Sequence, residues 1–308
     1  MTNQQSSPRK PVNQFKIKAY RLLKNAEEKI QLIGFLNRKS SRASENLYHV
    51  GIPNSTLDIV TIAYNHPHMT ALQIQLLKKN IQDPFTHIVA DNSSESAQAQ
   101  KIFDACIEHG AEYVRVPSNP FTRNKSHAAA MHWVYKNVLT KRKRKVIGFL
   151  DHDIFPTRPC SIITSMQQGI YGRPMNAYNH MGEWVPITPD FPYWSLWAGL
   201  YFIESSLLEK TNVYALSFFQ KFLSRGRYLD TGGRLWDSVL KYKNYPADLM
   251  NYQCLQFRET SDSNIHTDFY EQYDNWIHIV NLSNWYNTPN FEEKIAYFEK
   301  LLFSELNQ

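Results

Sequence analysis

The chain is poor in cysteine and has no long apolar run. Cys106, Cys160 and Cys254 form no Cys-x-x-Cys pair. That excludes a zinc ribbon and a disulfide framework, and it suits a reducing, cytoplasmic compartment. No apolar segment approaches the roughly 18–20 residues needed to cross a bilayer. The opening stretch MTNQQSSPRKPVNQ carries no apolar signal core. The motifs Gly-x-Gly-x-x-Gly, Gly-x4-Gly-Lys-Ser/Thr, Gly-x-Ser-x-Gly and His-Glu-x-x-His are also missing, which removes the simplest dehydrogenase, NTPase, serine-hydrolase and zinc-protease readings. Acidic residues are scarce only at the start. Residues 1–50 hold ten Lys and Arg against three Asp and Glu, so although the net charge is +6 the rest of the chain is near neutral. The basic balance describes an N-terminal appendage, and nucleic-acid binding by the whole fold is not implied.

What is present is a substantial apolar content, 43% of 308 residues, enough for one sizeable α/β domain. We divide the chain into a basic tail with an amphipathic helix, residues 1–50, and a main domain, residues 51–308. From Gln14 to about Asn37, Phe15, Ala19, Leu22, Leu23, Ala26, Ile30 and Ile33 recur at helical spacing with Lys and Arg on the other face. Such a helix either docks on its own domain through the apolar stripe or lies on an anionic membrane surface. A polar linker, Arg38 to Asn46, follows it.

In the main domain, Leu57–Tyr64, Thr86–Ala90, Glu112–Val116 and Lys145–Leu150 read as short buried strands. Between them Thr70–Asn80, Glu95–His109 and Lys125–Leu139 read as helices. The second has Ser93 or Ser94 as its expected N-cap and Gly110 as its C-cap. Strands alternating with helices predict βαβ units and a largely parallel sheet, with ligands at the carboxyl ends of the strands. Asp91 and Asp151 both end strands and face one crevice. After Pro159 the pattern is less regular, and a closing helix is expected from Phe291 to Leu306. The basic run Lys141–Lys145 sits where a helix ends and reads as a solvated turn that complements the helix dipole.

The strongest motif is Val146-Ile-Gly-Phe-Leu-Asp-His-Asp-Ile-Phe155. Asp151 and Asp153 at alternate positions leave an apolar strand, where paired carboxylates are costly without a cation. Mg2+ or Mn2+, which take one or two carboxylates plus phosphate oxygens, is the natural partner. His152 points to the other side, toward packing.

The order of strand, DNSS, helix, SHAAAMHW and FLDHD resembles the nucleotide-sugar glycosyltransferases of the GT-A fold, especially the large inverting family, over about residues 57–285. The resemblance implies an α/β fold with a mostly parallel sheet flanked by helices. It implies transfer of a sugar from a nucleotide-diphosphate donor to a glycan or lipid-linked acceptor hydroxyl, as in polysaccharide biosynthesis, at the inner face of a membrane. By the same resemblance Asp91 contacts the base or ribose, Asp151 and Asp153 hold the metal and diphosphate, and Tyr64 and Ser126 line the donor site. Gly199, in Trp197–Ile203, lets a backbone approach the bound sugar. Asp230, or else Asp237, deprotonates the acceptor, and His278, with His266 in reserve, completes the metal site. Asp230 equally suits a cap on the Thr231-Gly-Gly turn, Ser126 a plain N-cap, and His278 a core position. Two other readings stay open. One is a non-catalytic sugar- or partner-binding module on this fold. The other is a haloacid-dehalogenase-type phosphohydrolase, disfavoured because three strand–helix units precede Asp151.

Overall fold

The computed structural model describes residues 14–40, 55–214, 216–256, 269–280, 282 and 291–307. The expected tail, most of the expected linker, and His266 lie outside those residues. The strands are β1 (Leu57–Ala63), β2 (Phe85–Asp91), β3 (Glu112–Arg115), β4 (Val146–Asp151), β5 (Ile154–Pro156), β6 (Ile170–Tyr178), β7 (Trp184–Val185), β8 (Trp194–Glu204), β9 (Lys221–Phe222), β10 (Tyr228–Leu229), β11 (Tyr252–Gln256), β12 (Phe269–Tyr273) and β13 (Trp276–His278). The main helices are α1 (Gln14–Leu36), α2 (Pro67–Asn80), α3 (Ser96–His109) and α4 (Arg123–Val134), and a further helix runs from Phe291 to Asn307.

The expected mixed α/β architecture is present. Strands β3-β2-β1-β4 form a parallel half-sheet, and the order continues β8-β6-β10-β9 in antiparallel pairing, with β7 pairing the end of β6. Both faces of the parallel half are covered, which is why its strands read as unbroken apolar runs. Ala63, Val89 and Tyr113 pack with Ile74 and Ile102 of α2 and α3. Their neighbours Ile62, Ala90 and Val114 point the other way, into the main core with Ala128–Met131 of α4. A second sheet, β11-β12-β13-β5, is antiparallel throughout.

Several local details differ from expectation. Helix α3 has Glu95 at its N-cap with no side-chain cap, while Ser93 instead accepts the Asn65 amide; Gly110 closes the helix at φ +67° as expected. Helix α4 begins two residues early, with Thr122 at its N-cap, and gives way at Tyr135–Leu139 to a wider π-type turn. The basic run is less solvated than its composition suggests. Arg142 is held by buried Asp58 (2.7 and 3.1 Å) and by Glu112 (2.8 Å), because parallel strands begin with carboxylates at that end of the sheet. Among its described side chains, helix α1 meets the domain through its last turn and through Glu28, which pairs with Lys125 of α4. Phe35 and Leu36 are buried, and Trp133, Lys136 and Asn137 donate to the carbonyls of Arg38 and Leu36. Leu23 (72%) and Ile30 (71%) of the expected docking stripe stay exposed. No helix among the described residues is long and apolar enough to cross a membrane.

Candidate active site

The crevice at the carboxyl ends of β1, β2 and β4 collects most of the expected residues, and strand register explains how. Strand β4 ends in Asp151; after His152 and Asp153 the chain re-enters a strand as β5, in the other sheet. β5 pairs with β13 so that Ile154 faces His278, and the Ile279 amide donates to the Asp153 carbonyl at 2.9 Å. His278 is thereby fixed beside Asp153, its Nε2 3.8 Å from Asp153 Oδ1. One strand further, Glu271 of β12 stands directly opposite His278 and accepts from its Nδ1 at 2.6 Å. Tyr252 and Tyr273 donate to the same carboxylate, and Arg173 of β6 pairs with it at 3.1 Å.

The electrostatics follow from this packing. Asp153 is buried, and its Oδ1 has no hydrogen-bond partner among the described residues. Burial, with Asp151 and Glu271 adding their charge, pushes its carboxyl up to about 7 against the pull of His278. Burial would lower the pKa of His278, but the carboxylates of Asp153, Glu271 and Asp151 outweigh it and hold the imidazole above its usual range. Glu271 is buried as well, yet His278, Arg173 and Tyr273 keep it ionised, at about 2. His152, in the two-residue turn between β4 and β5, stacks on His66 at 5.3 Å, and burial drops its pKa to about 3.

Asp151 is only half-buried. Its carboxylate meets His127 Nε2 at 3.0 Å and lies against Gly199 of β8. A Cβ on residue 199 would come 2.6 Å from Asp151 Oδ2 and 2.5 Å from the Trp197 ring. The close approach that Gly199 permits is thus to the Asp151 carboxylate. Trp197 in turn sits 4.6 Å from the His278 ring.

On the β2 side, Asp91 is fully buried and is used within the protein. It accepts from Tyr113 (2.8 Å) and the Ser93 amide (2.9 Å), and pairs with Arg115 (2.9 Å). It braces the rim rather than lining it. The rim itself is Tyr64, whose hydroxyl meets Ser94 at 3.2 Å, and Asn92, which donates to Ser126 Oγ at 3.0 Å. Ser126 lies in the first turn of α4, past the N-cap, so the plain N-cap role does not hold. Asp230 follows β10, accepts from the Thr231 amide (2.8 Å) and faces Asn124 of α4 (3.4 Å). Asp237 is mostly exposed and pairs with Lys221.

Two residues of the crevice were not anticipated. Glu271 sits in an aromatic run with no motif around it, and only the register β12–β13 shows its pairing with His278. His127 directly follows Ser126; the topology alone, with α4 starting at the carboxyl end of the sheet, would have placed its first turn at the crevice.

The donors fit a hard divalent cation. Among the described residues no three His, Cys, Asp or Glu side chains converge into a closed cluster. Mg2+ and Mn2+ do not need one, since they take one or two carboxylates and draw the remaining oxygens from phosphate and water. The buried Asp153 Oδ1, an imidazole nitrogen across from it, and a Glu behind that imidazole are groups that could hold such a cation.

No family model matches the chain, and no curated protein matches it. Among solved structures, a mannosyltransferase from Pyrobaculum calidifontis, in complex with GDP-Man and Mn2+, is similar at 12% identity and a TM-score of 0.33, over 63% of this chain and 56% of that one. Glucosyl-3-phosphoglycerate synthase from Mycobacterium tuberculosis is similar at 16% identity and a TM-score of 0.34, over 51% and 59%. TarS of S. aureus is similar at 13% identity and a TM-score of 0.33, over 57% and 36%. The chain spans less than two thirds of each of these proteins.

Proposed function

We propose that the chain is a metal-dependent glycosyltransferase that uses a nucleotide-diphosphate sugar and inverts the anomeric centre. The observation that carries this is the orphaned carboxylate oxygen of Asp153, facing a Glu-braced His278 beside Asp151 at the mouth of a parallel sheet. Asp151, Asp153 and His278 would hold Mn2+ or Mg2+, which when bound offsets charge on the leaving diphosphate. Tyr64, Asn92 and Ser126 would seat the nucleotide, with Asp91 fixing the loop that carries Asn92 and Ser93. Asp230 would take the proton of the acceptor hydroxyl as it attacks; Asp237 is the second candidate for that role. The acceptor would be a glycan or a lipid-linked glycan. The exposed Leu23 and Ile30 and the basic side of α1 support peripheral contact with an anionic inner membrane face. Cys106 and Cys160, buried as free thiols, fit a cytoplasmic setting.

The test is a melting-temperature screen of nucleoside diphosphates with and without Mn2+. One nucleotide should stabilise the protein only with the metal, by about 2.7 kcal/mol at a hundredfold excess over its Kd. Asp153→Asn should abolish that shift. Absence of any metal-dependent shift in the wild type overturns the proposal, and turnover of a phosphate monoester with none of UDP- or GDP-sugars favours the phosphohydrolase.

A further inference from the structure

The antiparallel half of the main sheet carries four aromatic residues in one row. Trp184 of β7 stands directly opposite Tyr178 of β6, Tyr178 opposite Tyr228 of β10, and Tyr228 opposite Phe222 of β9. Residues paired in this way share a sheet face. The rings meet in turn, with centroids 4.4, 5.6 and 6.3 Å apart. At about 4.8 Å per inter-strand step, the row spans about 14 Å.

None of the four belongs to a packed core, and Trp184 (47%) and Phe222 (71%) are exposed at its two ends. The row is continuous with the crevice. Arg173 lies over both Trp184 (5.9 Å) and Trp197 (5.3 Å), and Trp197 stacks beside His278. The Tyr178 hydroxyl, whose pKa is raised first by burial, also feels Arg173 and Asp230. The row therefore leads from the metal-side residues past the candidate base to the outer edge of the sheet.

We propose that this aromatic row is an acceptor subsite that binds a glycan chain, pyranose rings packing their C–H faces on the exposed end rings, Trp184 and Phe222, with Tyr178 and Tyr228 between them. This rests on the transferase reading and extends it, because it makes the acceptor an extended saccharide and not a single small molecule. Exposed aromatic rings at the two ends, flanking two stacked tyrosines with hydroxyl tips, suit a ligand with alternating apolar faces and hydroxyl rims. A continuous apolar patch would suit an acyl chain or a second copy better.

The test uses the full chain on a printed array of neutral and acidic oligosaccharides, followed by fluorescence titration of the best-bound one. Trp184→Ala and Phe222→Ala should each weaken glycan binding about tenfold, the loss expected for one stacked ring. Trp184→Tyr should restore most of it. The melting shift from nucleoside diphosphate with Mn2+ should stay as in the wild type, which also shows that the variants fold. An array that retains no glycan, or glycan binding indifferent to both alanine variants, overturns the inference. So does row-dependent retention on phosphatidylglycerol vesicles, or row-dependent dimerisation, without glycan binding. If the nucleotide shift is missing from the wild type, the transferase reading fails by itself, and the array still decides the glycan site.

Discussion

Replacing Glu271 with Gln probes the least visible part of the proposed metal centre. The carboxylate is ionised, held at about 2, and takes the His278 Nδ1 proton at 2.6 Å. It therefore fixes which imidazole nitrogen is free to face Asp153. A hydrogen bond to a charged group is worth about 1.5–3 kcal/mol. Loss of an orienting partner behind a metal-bound histidine typically costs about 10- to 100-fold in affinity, or about 1.4–2.7 kcal/mol. The two estimates agree, so Glu271→Gln should weaken Mn2+ binding about 10- to 100-fold, measured by the electron paramagnetic resonance of free Mn2+ in the presence of a nucleoside diphosphate. Arg173 loses its counter-charge in the same variant, so the melting temperature should fall too. Tyr252→Phe separates the effects. It removes one donor to Glu271 from the exposed side, and should leave Mn2+ affinity within about twofold. Wild-type Mn2+ affinity in Glu271→Gln would refute the orienting role, whatever happens to stability.

Gly199→Ala should push the Asp151 carboxylate or the Trp197 ring aside, at a cost of about 1–3 kcal/mol in stability, and lower Mn2+ affinity; unchanged calorimetric titration and melting would count against it. Asp230→Asn should reduce kcat by about 10²- to 10⁴-fold with the nucleotide-dependent melting shift intact, and Asp237→Asn should cost far less. A larger loss in Asp237→Asn would exchange the two roles. Asp153 makes the centre pH-dependent. Its folded pKa, about 7, lies above the ordinary carboxylate value of 3.8, so its protonated form stabilises the metal-free fold. That contribution is complete below the unfolded value and is lost as pH rises through about 7, whereas Mn2+ affinity should rise over the same window because ligation needs the carboxylate. Mn2+ affinity that falls with rising pH there would refute the assignment.

Much of the parallel half was legible because burial on both faces leaves a local signature: runs such as Leu57–Ala63 and Val146–Leu150 are apolar without alternation, and an aspartate at their end stands out. Gly110 could be read from the αL position it fills. The antiparallel half was less legible, because β7, β9 and β10 are only two residues long and the eleven-residue β8 is buried almost throughout, with no alternation to mark it. Glu271 and His278 are seven residues apart in a stretch of mixed aromatics, and nothing local distinguishes a core Tyr from one that braces a carboxylate. Asp91 illustrates a different limit. Its place at a strand end was evident from sequence, but that Tyr113, Ser93 and Arg115 consume its oxygens depends on the parallel neighbour β3 and on the turn beyond. In α1 the periodicity identified the stripe but not which part of it finds a partner.

The step from β4 to β5 has a consequence for how this site tolerates change. Only His152 and Asp153 separate a strand of one sheet from a strand of the other, and both sheets are locked in register on either side. Lengthening the step by one residue would leave both registers in place and be absorbed in this turn, carrying the Asp153 carboxylate away from His278. The spacing of the two acids is thus enforced by architecture as much as by chemistry, and natural length variation should be found in the loops around the crevice and not at its floor.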